Sequence, residues 1–251
     1  MDNQPATTSH GQLGRTFITQ QRVISSLAFV LPVVLVGWSL LSGQGIRGSI
    51  SEYYYTPVRD VFVGTLCALA LFMWSYRGYH PYNPELRADR VVAKVASVSA
   101  ALVAIAPLRP RGTDQCSLLQ CVLGPYPTEW IHHAAAVVFM LSLATFCLVL
   151  FPMTGIPGDG MGRRLVIYGI CGTTIVVAVL LMVLWTFLPV DIYFMLGHYK
   201  PIMILETMAL FAFSIAWLLR SRAVEHAALA SYGPPAEPRR ASGSALPAGR
   251  P

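Results

Sequence analysis

Uninterrupted apolar runs, each about as long as a bilayer is thick, constrain this chain more than any other feature. A helix rises about 1.5 Å per residue, so about 20 apolar residues cross about 30 Å of hydrocarbon. In that medium only a helix or a closed barrel satisfies its own backbone. Six such runs are predicted to be helices, at about 23–42, 58–77, 91–108, 130–151, 165–190 and 201–219. Lys94 interrupts the third near one end, from which its stem can snorkel to the headgroups. Pro32 lies inside the first, where a membrane helix tolerates it better than a soluble one. The expected fold is therefore all-α, a polytopic six-transmembrane-helix bundle over 23–220. A tail at 1–22 precedes it, and a disordered tail at 221–251, rich in Pro, Gly, Ala, Ser and Arg, follows.

Composition enters here as an exclusion. Only 12% of the 251 residues are charged and 55% are hydrophobic, against roughly 25% charged in an average soluble domain. So few charges cannot cover a water-soluble globule of this size, which excludes an ordinary cytosolic enzyme, a disordered chain and a nucleic-acid-binding protein. The expected partners are membrane lipids, with no nucleic acid. The net charge of +6 is chiefly a matter of placement. Threaded through six spans, thirteen of the 18 basic residues fall on the side that carries both termini. By the positive-inside rule both termini are cytoplasmic, in a multi-pass protein of the plasma (inner) membrane. The first 22 residues hold no signal-peptide h-region.

On the opposite side that threading collects Glu52, Asp60, Asp114, Glu129, Asp191 and Glu206, together with His132, His133 and His198. Glu206 lies five residues into the last span, about 7 Å along the axis, where an acid normally faces a partner, the bundle interior or water. Asp60 at the start of the second span has two readings, a site residue or a complement to the helix dipole. Glu129, His132 and His133 share one helical surface. Adjacent histidines point about 100° apart, so one of the two at most faces the same pocket as Glu206. They read either as interfacial residues or as a metal ligand or acid/base pair completed by His198 and a carboxylate. A zinc site takes about three His or carboxylate ligands plus water, and His132, His133, His198 and Glu206 supply those types. The loop Gly48-Ser-Ile-Ser-Glu-Tyr-Tyr-Tyr-Thr-Pro-Val-Arg-Asp60 joins the first two spans. Three tyrosines suit a headgroup belt. The added Ser51, Glu52, Arg59 and Asp60 beside Tyr54 make it a candidate headgroup site, with polar atoms to orient one end of a ligand and apolar walls for the rest. Cys116 and Cys121 end the six-residue run Cys-Ser-Leu-Leu-Gln-Cys, and a disulfide would close it in an oxidising compartment; free thiols or a partial metal site are the alternatives.

The segment from Gly48 through Tyr79 has Ser49-Ile-Ser-Glu52 after the first helix and Phe62-Val-Gly-Thr-Leu-Cys67 inside the second. It resembles uncharacterised bacterial six-helix membrane proteins and, more distantly, is similar to the DRAM/Sfk-type membrane proteins. The resemblance implies a six-helix bundle with cytoplasmic termini and a role near membrane lipids. Where that group has Ile-Ser-Asp followed by Gly, this chain has Glu52 and Tyr53. No catalytic residues come with it. In residue type alone, Ser51, Asp60, His132 or His133, and His198 are similar to the zinc set of membrane hydrolases related to alkaline ceramidases. The His-x-x-x-His of that group's last helix is absent here, and Glu206 stands in that helix.

The leading expectation is a polar pocket open to the extracytoplasmic face that binds a lipid headgroup or another amphiphile. Its candidate residues are Ser51, Glu52, Tyr54, Arg59, Asp60, His132, His133, His198 and Glu206. A metal-dependent hydrolase of lipid amide or ester bonds, using zinc, is the first alternative. A cation- or proton-coupled transporter is the second. It needs polar residues that continue to the cytoplasmic face, where the sequence offers mainly Lys94, Ser and Thr.

Overall fold

A computed structural model describes residues 7–76, 87–109, 116–153 and 160–231. Asp114, residues 77–79 of the compared segment, the first six residues and the chain beyond Ser231 lie outside them. Among the described residues the structure is helical, without strands. The long helices are α1 (Thr7–Ser42), α2 (Arg59–Ser75), α3 (Arg87–Ile105), α5 (Pro125–Thr145), α7 (Met161–Trp185) and α9 (Pro201–Ser231). Shorter elements are a 3-10 turn (Ser51–Tyr55), α4 (Leu118–Leu123), α8 (Val190–Gly197), and α6 (Phe151–Met153), which continues α5 through a π turn (Phe146–Leu150).

Each long helix packs on two others. α1 meets α2, α2 meets α3, α3 meets α5, α5 meets α7, α7 meets α9, and α9 returns to α1, so the ring closes. Neighbouring helices of this ring alternate in direction. The Arg22–Glu225 ion pair (2.6 Å) joins α1 and α9 at one end, and the Met203 N–H donates to the Gly48 carbonyl (3.0 Å) at the other. The second end carries the 3-10 turn and is called the turn end below. Between these ends Ser25 and Ser214 bond reciprocally, each hydroxyl donating to the other's carbonyl at 2.9 and 2.8 Å. Short polar side chains let helices approach and give each hydroxyl a partner without water. The Ser97 hydroxyl likewise donates to the Ala70 carbonyl (2.6 Å), while Ala93, Ala96 and Ala100 of α3 are fully buried.

Four stretches are long and apolar enough to cross a membrane: Ile18–Ser42, Pro125–Met153, Met161–Trp185 and Pro201–Glu225. The chain thus carries the helices of an integral membrane protein. α2 and α3 fall outside this group of four. α2 has 17 residues, and α3 places Arg87, Asp89, Arg90 and Lys94 in its first half. Helix ends also differ from expectation. α1 begins at Thr7 rather than near 23, and α9 runs to Ser231 rather than ending near 219. Its added turns, Ala223-Val-Glu-His-Ala-Ala-Leu-Ala230, are strong helix formers, and the breakers Gly233 and Pro234 come only later. Apolarity marks where a bilayer ends; it does not mark where a helix ends.

Opposite the turn end, Trp217 is wholly buried among the rings of Tyr76, Phe146, Phe151 and Phe213, at centroid distances of 5.5, 4.9, 5.3 and 5.0 Å. Near this cluster the π turn is met by Gly172 of α7. A Cβ there would run into the Leu148 side chain and stand 3.1 Å from the Cys147 Cβ. Close approach of α7 to the widened turn therefore requires glycine. Gly172→Val is expected to cost about 1–3 kcal/mol through overpacking, seen as a lowered thermal unfolding midpoint in detergent. An unchanged midpoint would contradict this packing.

Candidate functional site

The segment from Gly48 to Thr56 turns sharply between α1 and α2, and a turn set into a bundle must find partners for its buried polar atoms. Tyr53 does so first. Its ring is fully buried, edge-on to Trp38 at 6.4 Å, and its hydroxyl bonds the Ser39 hydroxyl of α1 at 2.6 Å. The Glu52 carboxylate accepts the Gly48 N–H at 2.9 Å. A Cβ on Gly48 would lie 3.0 Å from that carboxylate, so glycine permits the closure. From α9, Glu206 accepts the Ile50 N–H at 2.6 Å. From α5, His132 Nε2 meets the Ser51 hydroxyl at 2.9 Å, while His132 Nδ1 meets the Ala106 carbonyl at 2.6 Å. The Gln120 side-chain amide of α4 and the Tyr55 hydroxyl of the turn both donate to the Leu108 carbonyl, at 2.8 and 2.7 Å. Burial pushes the pKa of the Tyr55 hydroxyl above its ordinary value, with the Gln120 bond opposing, so this group remains a donor.

Ser51, Glu52, His132 and Glu206, far apart in sequence, therefore converge on one turn. Tyr54 and Arg59 form a second pair. The Arg59 guanidinium lies 4.1 Å from the Tyr54 ring centre and donates to its hydroxyl at 2.5 Å. Three expected members stand apart. His133 is exposed on the next position of α5, edge-on to His132 at 5.9 Å. His198 is exposed after α8, against the Tyr199 ring at 5.7 Å. Asp60 is exposed in the first turn of α2, where its charge complements the helix dipole. Among the described residues no three His, Cys, Asp or Glu side chains form a group able to hold a metal. The proposed set of His132, His133, His198 and Glu206 is divided: His132 has both ring nitrogens engaged, and Glu206 is bonded to the turn. Glu129, on the turn of α5 before the histidines, pairs with Arg109, whose guanidinium also covers Tyr126 at 4.7 Å.

Beside the pinned turn a cavity of about 330 Å³ is lined by Tyr54, Tyr55, Thr56, Pro57, Arg59 and Ser117. Its far wall includes Cys116, which is joined to Cys121 in a disulfide across α4. Ser117 caps α4 in a reciprocal capping box with Gln120. The disulfide and the cap hold this wall in place.

A further polar group lies at the other end of the bundle. Gln21, Asp89, Arg220 and Ser221 are buried there from α1, α3 and α9, and Arg220 acts electrostatically on Asp89. Gln21 Oε1, Asp89 Oδ1, Trp217 Nε1 and Ser221 Oγ are buried without hydrogen-bond partners. In the sequence Arg220 is one of the thirteen basic residues on the side that carries both termini, and Asp89 has no motif to mark it. The available signal was an acid beside a span on the side where the positive-inside rule expects bases.

The chain matches no known protein family, no curated protein and no solved structure. Function therefore has to be argued from the site itself.

Because Glu206 satisfies a buried backbone N–H, its variants should rank by hydrogen bonding rather than charge. Glu206→Gln retains an acceptor. Glu206→Ala leaves the Ile50 N–H unpaired and is expected to cost about 1–3 kcal/mol. Hydrogen exchange over residues 49–55 should then quicken markedly in the alanine variant and only slightly in the glutamine variant; equal protection in both would contradict the pin.

Proposed function

We propose that this is a six-span membrane protein whose turn end faces the extracytoplasmic side and binds the anionic polar end of an amphiphile. The cavity beside Arg59 carries this reading. Its lining brings one guanidinium together with tyrosine, threonine, serine and proline side chains. Such a lining suits a ligand with a charged head and an apolar body. A guanidinium fork matches phosphate or carboxylate geometry, and Arg59 is exposed at the cavity rather than committed to an acid.

Two further observations support the threading. α2 and α3 sit within a closed ring whose other four members are long apolar helices. The outward face of α3 exposes Val91, Val95, Val98 and Ile105, a stripe that suits lipid contact although the same helix begins with charges. In this reading both helices cross, α3 with its charged first turns in the headgroup zone, and the excess of basic residues at the opposite end supports a cytoplasmic position for that end. The plasma (inner) membrane is the proposed location.

The test is lipid retention by the purified protein, read by native mass spectrometry after reconstitution in mixed phosphatidylglycerol and phosphatidylcholine. The wild type should retain phosphatidylglycerol preferentially. Arg59→Gln should weaken that retention about tenfold or more, from the loss of a charge-assisted hydrogen bond worth about 1.5–3 kcal/mol. Arg109→Gln, which removes a guanidinium already paired with Glu129, should leave it unchanged. Equal retention by wild type and Arg59→Gln would overturn the reading.

A further inference from the structure

We infer that Ser51 is a nucleophile and His132 its base, so that the site cleaves an ester bond in the amphiphile it holds. This rests on the headgroup reading for the substrate class, but its geometry is independent of Arg59. A carbonyl oxygen only accepts, so in the neutral imidazole the 2.6 Å contact to Ala106 fixes the proton on His132 Nδ1. Nε2 is then the open acceptor, and it lies 2.9 Å from Ser51 Oγ. Hydroxyl, imidazole and an orienting acceptor in that order are the parts of an activated serine. Here a backbone carbonyl takes the orienting place.

Three elements hold these parts: the 3-10 turn, α5 and the segment just past α3. The neighbours of Ser51 are fixed on both sides, the Ile50 N–H on Glu206 and the Glu52 N–H on the Ser49 hydroxyl at 3.2 Å. That pre-orders the hydroxyl, as nucleophilic attack requires. Residues three apart in a 3-10 helix share a face, so Ser51, itself buried and outside the cavity lining, lies one turn from Tyr54, which lines the cavity. Because Tyr53, Tyr55, Glu52 and Glu206 already anchor the turn, a titratable base aimed at one hydroxyl is more than anchoring needs.

The reaction balances with water as the only co-reactant. Ser51 Oγ bonds to the ester carbonyl carbon as its proton passes to His132 Nε2. The carbon–oxygen bond to the alcohol breaks, and the leaving oxygen takes that proton. Water then attacks the acyl-serine, giving a proton to Nε2, and the acid departs as Ser51 Oγ recovers it. The Ala106 carbonyl holds Nδ1–H throughout and faces the imidazolium when it forms.

The decisive experiment exposes the purified full-length protein in nanodiscs to a fluorophosphonate, with the adduct mapped by mass spectrometry. The expected result is an adduct on Ser51 in the folded protein that is absent after denaturation in detergent and in Ser51→Ala. Its rate should fall at acidic pH, as the imidazole takes up a proton, and by about 100-fold or more in His132→Gln, the usual contribution of a general base. Should His132→Gln fail to fold, the wild-type pH profile decides. No adduct on folded wild-type Ser51, or a rate independent of pH, overturns the inference. The two readings fail separately. A missing adduct with Arg59-dependent lipid retention overturns the nucleophile alone. An adduct with retention indifferent to Arg59 overturns the headgroup reading alone.

Discussion

A loop that folds back into the end of a helical bundle loses water before it gains anything, and that constraint organises the turn end. Each unpaired buried donor costs about 1–3 kcal/mol. The Gly48–Thr56 segment meets this cost partly with the backbone bonds of its 3-10 turn and partly with side chains. Glu206, His132, Ser39 and Gln120 reach it from different helices. Groups that stand out in the sequence as polar residues in an apolar chain are, in the structure, the means by which neighbouring helices are locked to one turn. The same bonds that stabilise the bundle place the Ser51 hydroxyl beside an imidazole.

Much of this was legible beforehand because bilayer spans are written in simple apolar runs. The start of α9 at Pro201, and with it the depth of Glu206, follows directly from the pattern. Two features were not legible. Hydropathy does not register where a helix continues into water, so the first turns of α1 and the last turns of α9 went unread. Nor could spacing alone decide between His132 and His133. Neighbours on a helix point about 100° apart, and only the packing of α3 against α5 decides which ring is enclosed. His132 is 2% exposed and fully bonded, while its neighbour faces outward.

The metal reading shows how residue type misleads without geometry. Three histidines and a carboxylate near one end look like a ligand set. A ligand nitrogen needs its lone pair free, yet His132 directs both nitrogens at protein atoms, and His198 lies beyond α8. What the composition described as a metal set is, bond by bond, one hydrogen-bonded histidine, one carboxylate on a backbone N–H, and two exposed rings.

The two ends of the bundle differ in a way that bears on function. At the turn end Tyr53, Gln120, His132 and Glu206 are all partnered, Arg47 Nε alone is a buried atom without a partner among the described residues there, and the exposed guanidinium of Arg59 faces a cavity. At the opposite end Gln21, Asp89, Trp217 and Ser221 carry unpartnered atoms beneath a packed aromatic cluster. Between them the paired hydroxyls of Ser25 and Ser214 are closed on each other, and Leu210 and Phe213 are buried on the intervening turns of α9. Polar groups at both ends of a bundle invite a transport reading, but a transport path needs groups free to exchange partners along its length. Here the middle is satisfied and apolar. That arrangement supports the proposed reading, a site at one end of the bundle, over one of passage through the protein.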